Sequence, residues 1–267
     1  AFRQVPVASD LKMGYQVVVA DLNNDKRPDL IVVEERATEL AWYENPTWQR
    51  HTLALNVSRV INLECQDLDG DGVPEIALAH GFERSAARSK GTILLLKSGA
   101  DPRQPWSAKE IDAVPTAHRL RWAKTANGPI LLVSPLAGPS VDEPTFEGKT
   151  PIYFYKPGEW KRTLLYGELN GIVHSIHPMD WDGTGRDQIL TASFDGIKRL
   201  EPMKDGSWRA HDVAKGDPRP CPLCGASEIK PGRLGRARFI AAIEPWHGNQ
   251  VVVYLEDNGR WTRHVLD

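Results

Sequence analysis

The sequence predicts an all-β fold, a β-propeller of about five four-stranded blades, and three observations support this prediction. A Trp-led segment with the pattern of a half-buried strand recurs along the 267 residues. A continuous apolar strand recurs between the copies, at a period of roughly 50 residues that is typical of propeller blades. Helical periodicity is absent. We therefore expect residues 1–267 to form a single propeller domain.

The Trp-led segment is interpreted as the outermost strand of each blade. Clear copies are residues 48–53, 160–165, 208–213 and 261–266, and looser copies are residues 106–111 and 2–7. Six copies are one more than five blades need. One terminal strand would complete the last blade and leave the other as an extra edge strand, or the chain would be cut from a larger protein.

The second strand of each unit is apolar at almost every position, as expected for a strand that neighbouring sheets cover on both faces. The copies are residues 30–33, 76–79, 130–133, 189–192 and 239–242. A further strand precedes each copy and another follows it, so each unit has four strands.

Three units carry an oxygen-rich loop between their first and second strands. Oxygen side chains at alternate positions, a turn-forming Gly and a later carboxylate suit a hard cation such as Ca²⁺. The alternative is that these residues only make tight Asx turns. The predicted structural calcium ligands are Asp21, Asn23, Asp25 and Asp29 in the first loop, Asp67, Asp69, Asp71 and Glu75 in the second, and Asp180 and Asp182 in the third.

These loops resemble the FG-GAP or VCBS repeat family of propellers, whose mark is D-x-D-x-D-G-x-x-D/E inside a strand pair. That resemblance specifies the fold far better than the function. Residues 225–230 (GASEIK) and 243–250 (IEPWHGNQ) look like the propeller part of aldos-2-ulose dehydratase-type proteins. The second resemblance implies elimination of water from keto-sugars with the help of metal ions.

Four of the eight histidines are expected on one face of the propeller, each from a different blade: His80, His118, His174 and His247. The connections before the first strand and after the second strand would share this face, while the acidic loops would lie on the other. Neutral imidazoles could there hold Zn²⁺ or Mn²⁺.

The innermost strands add polar side chains around the expected channel. Elimination beside a carbonyl needs a base for the α-proton and a cation that stabilises the enolate. The catalytic candidates are His177 and Glu64 as bases and Arg121 and Lys230 as cations. The substrate-binding candidates are Arg119, Glu228, Trp122 and Trp246. The alternative is that opposite charges merely pair across a wet channel.

The predicted function is therefore a carbohydrate lyase or dehydratase that acts by elimination on a keto-sugar or a uronide at the His-rich face. One alternative is a non-catalytic propeller that binds glycans or proteins and is stiffened by calcium loops. Another is a glycoside hydrolase, whose two carboxylates would come from Glu64, Glu228 and Glu244. The enzyme is favoured, and its partner would be a carbohydrate or a sugar-derived small molecule.

Composition narrows the other partners and the compartment. A net charge of -2 gives no basic footprint for nucleic acid, and no apolar run is long enough to span a membrane. A start at Ala1 suits a mature secreted or periplasmic protein. Cys65 is expected to be buried. Cys221 and Cys224 form a CxxC that is a local disulfide, a pair of thiols or half of a zinc site.

Overall fold

The computed structural model describes residues 2–9, 11–235 and 237–267. Within these residues the secondary structure is entirely β, with 20 strands in five four-stranded antiparallel sheets. Each sheet is built from four consecutive strands in chain order, which is how propeller blades are built. The predicted all-β propeller of five four-stranded blades is confirmed. No helix in the described part of the chain is long and apolar enough to cross a bilayer.

The strands of the first two sheets are β1 (Gly14–Ala20), β2 (Asp29–Glu34), β3 (Glu39–Glu44), β4 (Gln49–Leu55), β5 (Asn62–Gln66), β6 (Glu75–His80), β7 (Thr92–Lys97) and β8 (Ser107–Ala113). The third sheet comprises β9 (Ala117–Thr125), β10 (Gly128–Pro135), β11 (Lys149–Tyr155) and β12 (Thr163–Asn170). The last two comprise β13 (Val173–Met179), β14 (Gln188–Ser193), β15 (Gly196–Pro202), β16 (Trp208–Ala214), β17 (Ile229–Leu234), β18 (Ala237–Glu244), β19 (Gln250–Asp257) and β20 (Arg260–Val265).

The chain divides into two compact units. The first unit comprises Ala1–Glu83 with Ser89–Leu120, and the second comprises Arg84–Arg88 with Arg121–Asp267. The assignment of residues 1–267 to a single domain stays a prediction.

The core of the first unit lies between its first and second sheets. Ile31, Trp42 and Leu53 of the first sheet and Leu63 and Ile76 of the second are fully buried in one apolar cluster. Strand β6 is buried at five of its six residues. The continuous apolar run predicted for a second strand therefore has its physical reason in burial of both faces.

Strand β14 shows the same principle in the second unit. All six of its residues are buried. Ile189 belongs to the cluster formed with the third sheet, whereas Leu190 and Ala192 belong to the cluster formed with the fifth. Alternate residues of a strand point to opposite faces, so this one strand contributes to two cores.

The prediction of an outer strand at residues 2–7 is wrong. These residues are described and form no strand, and Phe2 is fully exposed. The outer strand of the last sheet is β20, which pairs with β19. The last sheet therefore already has its outer strand, and an alternating pattern without a partner does not form a strand.

The aromatic residue of the Trp-led motif does not always lie in the strand. Trp48 and Trp160 have positive φ angles of 57° and 48°. Their backbone N–H groups donate to the carbonyl oxygens of Glu44 and Lys156, which closes the turn before the outer strand. In these two copies the motif marks the turn and the strand follows it.

Candidate functional site

A polar cluster lies where β13 meets the start of β17 in the second unit. Ser175 Oγ donates a hydrogen bond of 3.0 Å to Glu228 Oε1, and Lys230 Nζ donates another of 3.0 Å to the same oxygen. Ser175 and His177 share one face of β13 because they are two residues apart, and Glu228 and Lys230 are related in the same way. The first strand of the fourth sheet and the start of the fifth sheet thus bring four polar side chains to one place.

His177 is the titratable centre of this group. Burial lowers the pKa of His177 to about 4, and the positive charges of Lys230 and Arg121 lower it too, against an opposing effect of the Glu228 carboxylate. The imidazole is therefore neutral at neutral pH and can accept a proton. We call Arg121, Ser175, His177, Glu228 and Lys230 the His177 cluster. It unites four of the eight residues predicted for catalysis and substrate binding.

Solvent and small ligands can reach the charged members of the His177 cluster. The side chain of Lys230 is 59% exposed and that of Glu228 is 31% exposed. An ion pair this open contributes at most about 1 kcal/mol to stability. The effect of the ion pair is instead to hold the Lys230 ammonium beside the neutral imidazole of His177.

Arg119 and Glu64 lie in the first unit. Glu64 is half-buried on β5, and Arg119 is 8% exposed on β9. Arg119 Nη1 lies 3.1 Å from His118 Nε2, and the Tyr15 hydroxyl lies 3.3 Å from the same nitrogen. Because a guanidinium only donates, His118 Nε2 accepts from Arg119. A metal ion at this nitrogen would have to displace Arg119. The sequence did not predict the contact between Arg119 and His118.

The first strands of the first unit are also joined by side-chain amides. Asn62 Oδ1 accepts a hydrogen bond of 2.7 Å from the backbone N–H of Leu120, and Asn62 Nδ2 donates to Gln16 Oε1 over 3.0 Å. Gln16 Oε1 also accepts from the backbone N–H of Leu63. These hydrogen bonds link the first strands of the first three sheets, β1, β5 and β9.

The four predicted zinc or manganese ligands are divided between the units. His80 and His118 belong to the first unit and His174 and His247 to the second. The rings of His174 and His247 meet edge to face with centroids 5.1 Å apart, and Ser227 Oγ lies 3.2 Å from His174 Nδ1. Neither unit gathers three of these imidazoles, so the Zn²⁺ or Mn²⁺ centre stays a prediction.

The two tryptophans predicted to bind substrate, Trp122 and Trp246, have different surroundings. The Trp246 ring packs against Phe146, Phe194 and His247, with centroid distances of 5.0, 6.3 and 4.7 Å. The ring is therefore fixed in place by other aromatic side chains. Among the described residues, the buried indole N–H groups of Trp246 and Trp122 have no hydrogen-bond partner.

The second acidic loop has the geometry of a cation site. Asp67, Asp69 and Asp71 each offer an oxygen, and these oxygens lie within 4.8 Å of one another. Among the described residues, this is the one group of three or more His, Cys or carboxylate ligands at such spacing. The Lys97 ammonium donates to Asp69 and to Glu75. One cation, an ammonium, already lies against these oxygens.

The first and third loops are organised by hydrogen bonds of the Asx-turn kind. Asp29 is fully buried and accepts from the backbone N–H groups of Leu22 and Asn45, each over 2.9 Å. Desolvation by burial raises the pKa of Asp29. In the third loop, Gln188 Nε2 donates to Asp182 Oδ2 over 2.9 Å. Calcium in these two loops stays a prediction, with the turn alternative well supported.

The other ligands predicted in these loops likewise accept backbone bonds. Asp21 and Asn23 both accept from the N–H of Asp25, each over 3.1 Å, and Asp25 Oδ1 accepts from the N–H of Arg27 over 2.8 Å. Asp180 accepts from the N–H of Thr184 over 2.9 Å.

Glu244, one of the carboxylates considered for hydrolysis, is fully buried in an ion pair. Its oxygens accept hydrogen bonds from the Tyr254 hydroxyl and from Arg263 Nε, the latter over 2.9 Å. Burial and the Glu244 charge raise the pKa of Tyr254. Glu244 thus holds β18, β19 and β20 together.

The sequence matches two known protein families. A family model described as the aldos-2-ulose dehydratase beta-propeller domain matches residues 90–257, more than half of the chain. The chain belongs to this family. A model described as an FG-GAP-like repeat matches residues 15–78 of this chain. Both resemblances found in the sequence are confirmed.

Solved structures share the fold of this chain at low sequence identity. A luciferin-regenerating enzyme is 13% identical with a TM-score of 0.54, covering 98% of this chain and 77% of that one. A protein assigned as a gluconolactonase is 11% identical with a TM-score of 0.52, covering 98% and 80%. An ancestral GH74 enzyme is 12% identical with a TM-score of 0.57, covering 95% and 31%. No curated protein matches the sequence.

Proposed function

We propose that this propeller is a carbon–oxygen lyase that eliminates water or an alcohol from a keto-sugar or a uronide at the His177 cluster. The observation that carries the proposal is a neutral imidazole held beside two cations, Lys230 and Arg121. Membership of the aldos-2-ulose dehydratase propeller family supports the reaction class.

In this proposal His177 is the general base. Its neutral ring nitrogen takes the proton on the carbon next to the carbonyl or carboxylate, and the electron pair of that C–H bond forms the enolate. Arg121 and Lys230 stabilise the developing negative oxygen. The enolate then expels the β-oxygen, and this C–O bond breaks as the C=C bond forms. The Lys230 ammonium supplies the proton to the departing oxygen and regains one from solvent, and His177 releases the proton that it took to solvent.

The charges favour the uronide over the neutral keto-sugar. Two cations and the single Glu228 carboxylate leave the His177 cluster with a net positive charge while the imidazole is neutral. A substrate carboxylate would offset this charge and raise the pKa of His177 toward the pH range in which a general base works best. The same cations would also select an anionic sugar by charge.

Two further features support the proposal: one concerns a sugar ligand and the other the location of the protein. The buried indole N–H groups of Trp122 and Trp246 are unsatisfied donors among the described residues, and sugar hydroxyl oxygens are acceptors for such donors. The disulfide between Cys221 and Cys224 supports a secreted or periplasmic location, because disulfides persist in oxidising compartments.

Metal ions enter the proposal in two places. Calcium would bind Asp67, Asp69 and Asp71, whose converging oxygens suit a hard cation. A Zn²⁺ or Mn²⁺ ion would use the predicted histidines, of which His174 and His247 have adjacent rings, and would polarise a substrate oxygen as a Lewis acid. The steps assigned to His177, Arg121 and Lys230 do not depend on either ion.

The test is incubation of the purified protein with a panel of keto-sugars and uronides. Elimination creates a C=C bond conjugated with the carbonyl or carboxylate, so new ultraviolet absorbance is expected with at least one uronide. Binding of a uronide, measured by calorimetry, without new absorbance would contradict the lyase proposal and support the glycan-binding alternative. Release of a reducing sugar without new absorbance would support the hydrolase alternative.

A further inference from the structure

The segment between β16 and β17 forms a short lobe, residues 217–225. The backbone N–H of Asp217 donates to the Gly225 carbonyl over 2.8 Å, and the N–H of Gly225 donates back over 3.1 Å. The Asp217 carboxylate accepts from the backbone and the guanidinium of Arg219 over 2.9 to 3.0 Å. Hydrogen bonds therefore hold the base of the lobe.

The lobe is seated on the end of β14. The N–H of Ala226 donates to the carbonyl oxygen of Ser193 over 3.0 Å. Gly225 has a φ of +69°, and a Cβ at this position would lie 2.1 Å from the same carbonyl oxygen. Only glycine fits there, so this seat is fixed by backbone packing and does not require a covalent link.

The disulfide at the tip of the lobe joins two cysteines in different environments. Cys221 is exposed, whereas Cys224 is 5% exposed. The Sγ atom of Cys224 lies 3.7 Å from the carbonyl oxygen of Phe194. A thiol is a weak donor, so an acceptor for the S–H group of reduced Cys224 is already in place. This contact would stabilise the reduced form.

The disulfide contributes little to the fold as a whole. It joins residues three apart in sequence, and cross-links that close such short loops constrain the unfolded chain least. Its effect is therefore local to the lobe. Exposed disulfides are also the ones that thiols reduce most readily.

We propose that the Cys221–Cys224 pair is an exchangeable disulfide that reacts with dithiol reductants. The reductant thiolate attacks the exposed Cys221 sulfur, the S–S bond breaks, and Cys224 leaves as a thiolate that takes up a proton. The second thiol of the reductant then attacks the mixed disulfide and releases Cys221 as a thiol. Two electrons and two protons pass from the dithiol, which becomes a disulfide.

The chain after the lobe leads to a contact with His174. Ser227 lies two residues beyond Gly225, and its hydroxyl lies 3.2 Å from His174 Nδ1. A reduced lobe has more freedom at residues 218–224, so faster amide hydrogen exchange is expected there. The Asp217–Gly225 hydrogen bonds close the base of the lobe, and the hydrogen bond from Ala226 to Ser193 keeps it attached to β14.

The experiment incubates the folded protein with dithiothreitol, alkylates it and locates the labels by mass spectrometry. Labels are expected on Cys221 and Cys224 well before Cys65, which serves as the control for unfolding. Cys65, predicted to be buried, is only partly buried against the apolar cluster of the first unit. Desolvation raises the pKa of its thiol to about 12, so slow labelling is expected in the folded protein. Failure of the pair to be reduced, or labelling only together with Cys65, would overturn the proposal.

A matched pair of variants tests the direction of attack. Cys224→Ser leaves the exposed Cys221 thiol, which is expected to form a mixed disulfide with oxidised glutathione and release one glutathione. Cys221→Ser leaves the buried Cys224 thiol, which is expected to react on the order of tenfold more slowly because reactivity follows access and thiolate fraction. Equal rates, or a faster reaction at Cys224, would contradict attack at Cys221.

Discussion

Lys230 donates a hydrogen bond of 3.0 Å to the Glu228 carboxylate, and the charges of both residues act on His177. The pKa of His177 therefore depends on both neighbours, because Lys230 disfavours the imidazolium and Glu228 favours it. Changing either residue should therefore move the pKa of His177, in opposite directions.

Lys230→Gln is expected to raise the pKa of His177 from about 4 toward the ordinary value of about 6.5, because a repelling cation is removed. Glu228→Gln is expected to lower it further. Histidine ring resonances followed by NMR across pH 3 to 8 measure both shifts, with the exposed Lys204→Gln variant as the matched control. Shifts in the same direction for both variants would contradict the arrangement described.

Stability should fall in acid because His177 is held neutral. Its pKa in the folded protein, about 4, lies below the unfolded value of about 6.5, so the unfolded state binds more protons between these two values. This contribution is fully present above pH 6.5 and is lost as the pH falls to 4, by at most about 1.4 kcal/mol per pH unit.

Urea unfolding at several pH values tests this contribution. The His177→Gln variant is expected to show a shallower loss of stability between pH 6.5 and 4 than the unmodified protein. Burial also lowers the pKa of His80, which adds a loss of the same sign in both proteins. The difference between the two curves therefore isolates His177, and parallel curves would exclude a depressed pKa.

Calcium is expected to stabilise the second acidic loop. At 100 times its Kd, a ligand that binds only the folded state adds about 2.7 kcal/mol. Asp69→Asn should abolish the rise in Tm with calcium. Lys97→Met should strengthen binding, because the Lys97 ammonium competes for Asp69 and Glu75.

The control for calcium is Asp182→Asn in the third loop, where Gln188 donates to Asp182. This change should leave the calcium-dependent rise in Tm intact. A rise that depends equally on Asp182 and Asp69, or no rise at all, would contradict the assignment of the site to the second loop.

Glu244→Gln is expected to destabilise the protein by about 1–3 kcal/mol, because the half-buried Arg263 and the buried Tyr254 lose a charged acceptor. Urea unfolding measures this loss, and Glu256→Gln, at a more exposed ion pair with Arg238, is the matched control. The folded variant should still eliminate water or an alcohol from a uronide. A stable Glu244→Gln variant that turns over no uronide would make Glu244 a catalytic carboxylate, as the hydrolase alternative requires.

Much of the fold could be predicted because each strand carries its own signal. Strand β14 is apolar at successive positions because its two faces lie in two cores. The strand predicted at residues 2–7 failed because a strand also needs a partner edge, which alternation within one segment does not reveal.

The site could be predicted only in part. The innermost strands were predicted to contribute His177 and Lys230 to one channel, and the charge of Lys230 does act on His177. The pairing of Arg119 with His118 could not be foreseen, because neighbouring residues of a strand normally point to opposite faces. The role of Glu244 depends on Tyr254 and Arg263, which lie on other strands of its sheet.

The most direct test of the central claim is the rate of formation of the unsaturated product from a uronide, measured by ultraviolet absorbance. His177→Ala is expected to lower kcat by about 10²–10⁴-fold, the usual contribution of a general base. The exposed His264→Ala variant should keep the unmodified rate. An unchanged rate in a folded His177→Ala protein would contradict the assignment of His177 as the base.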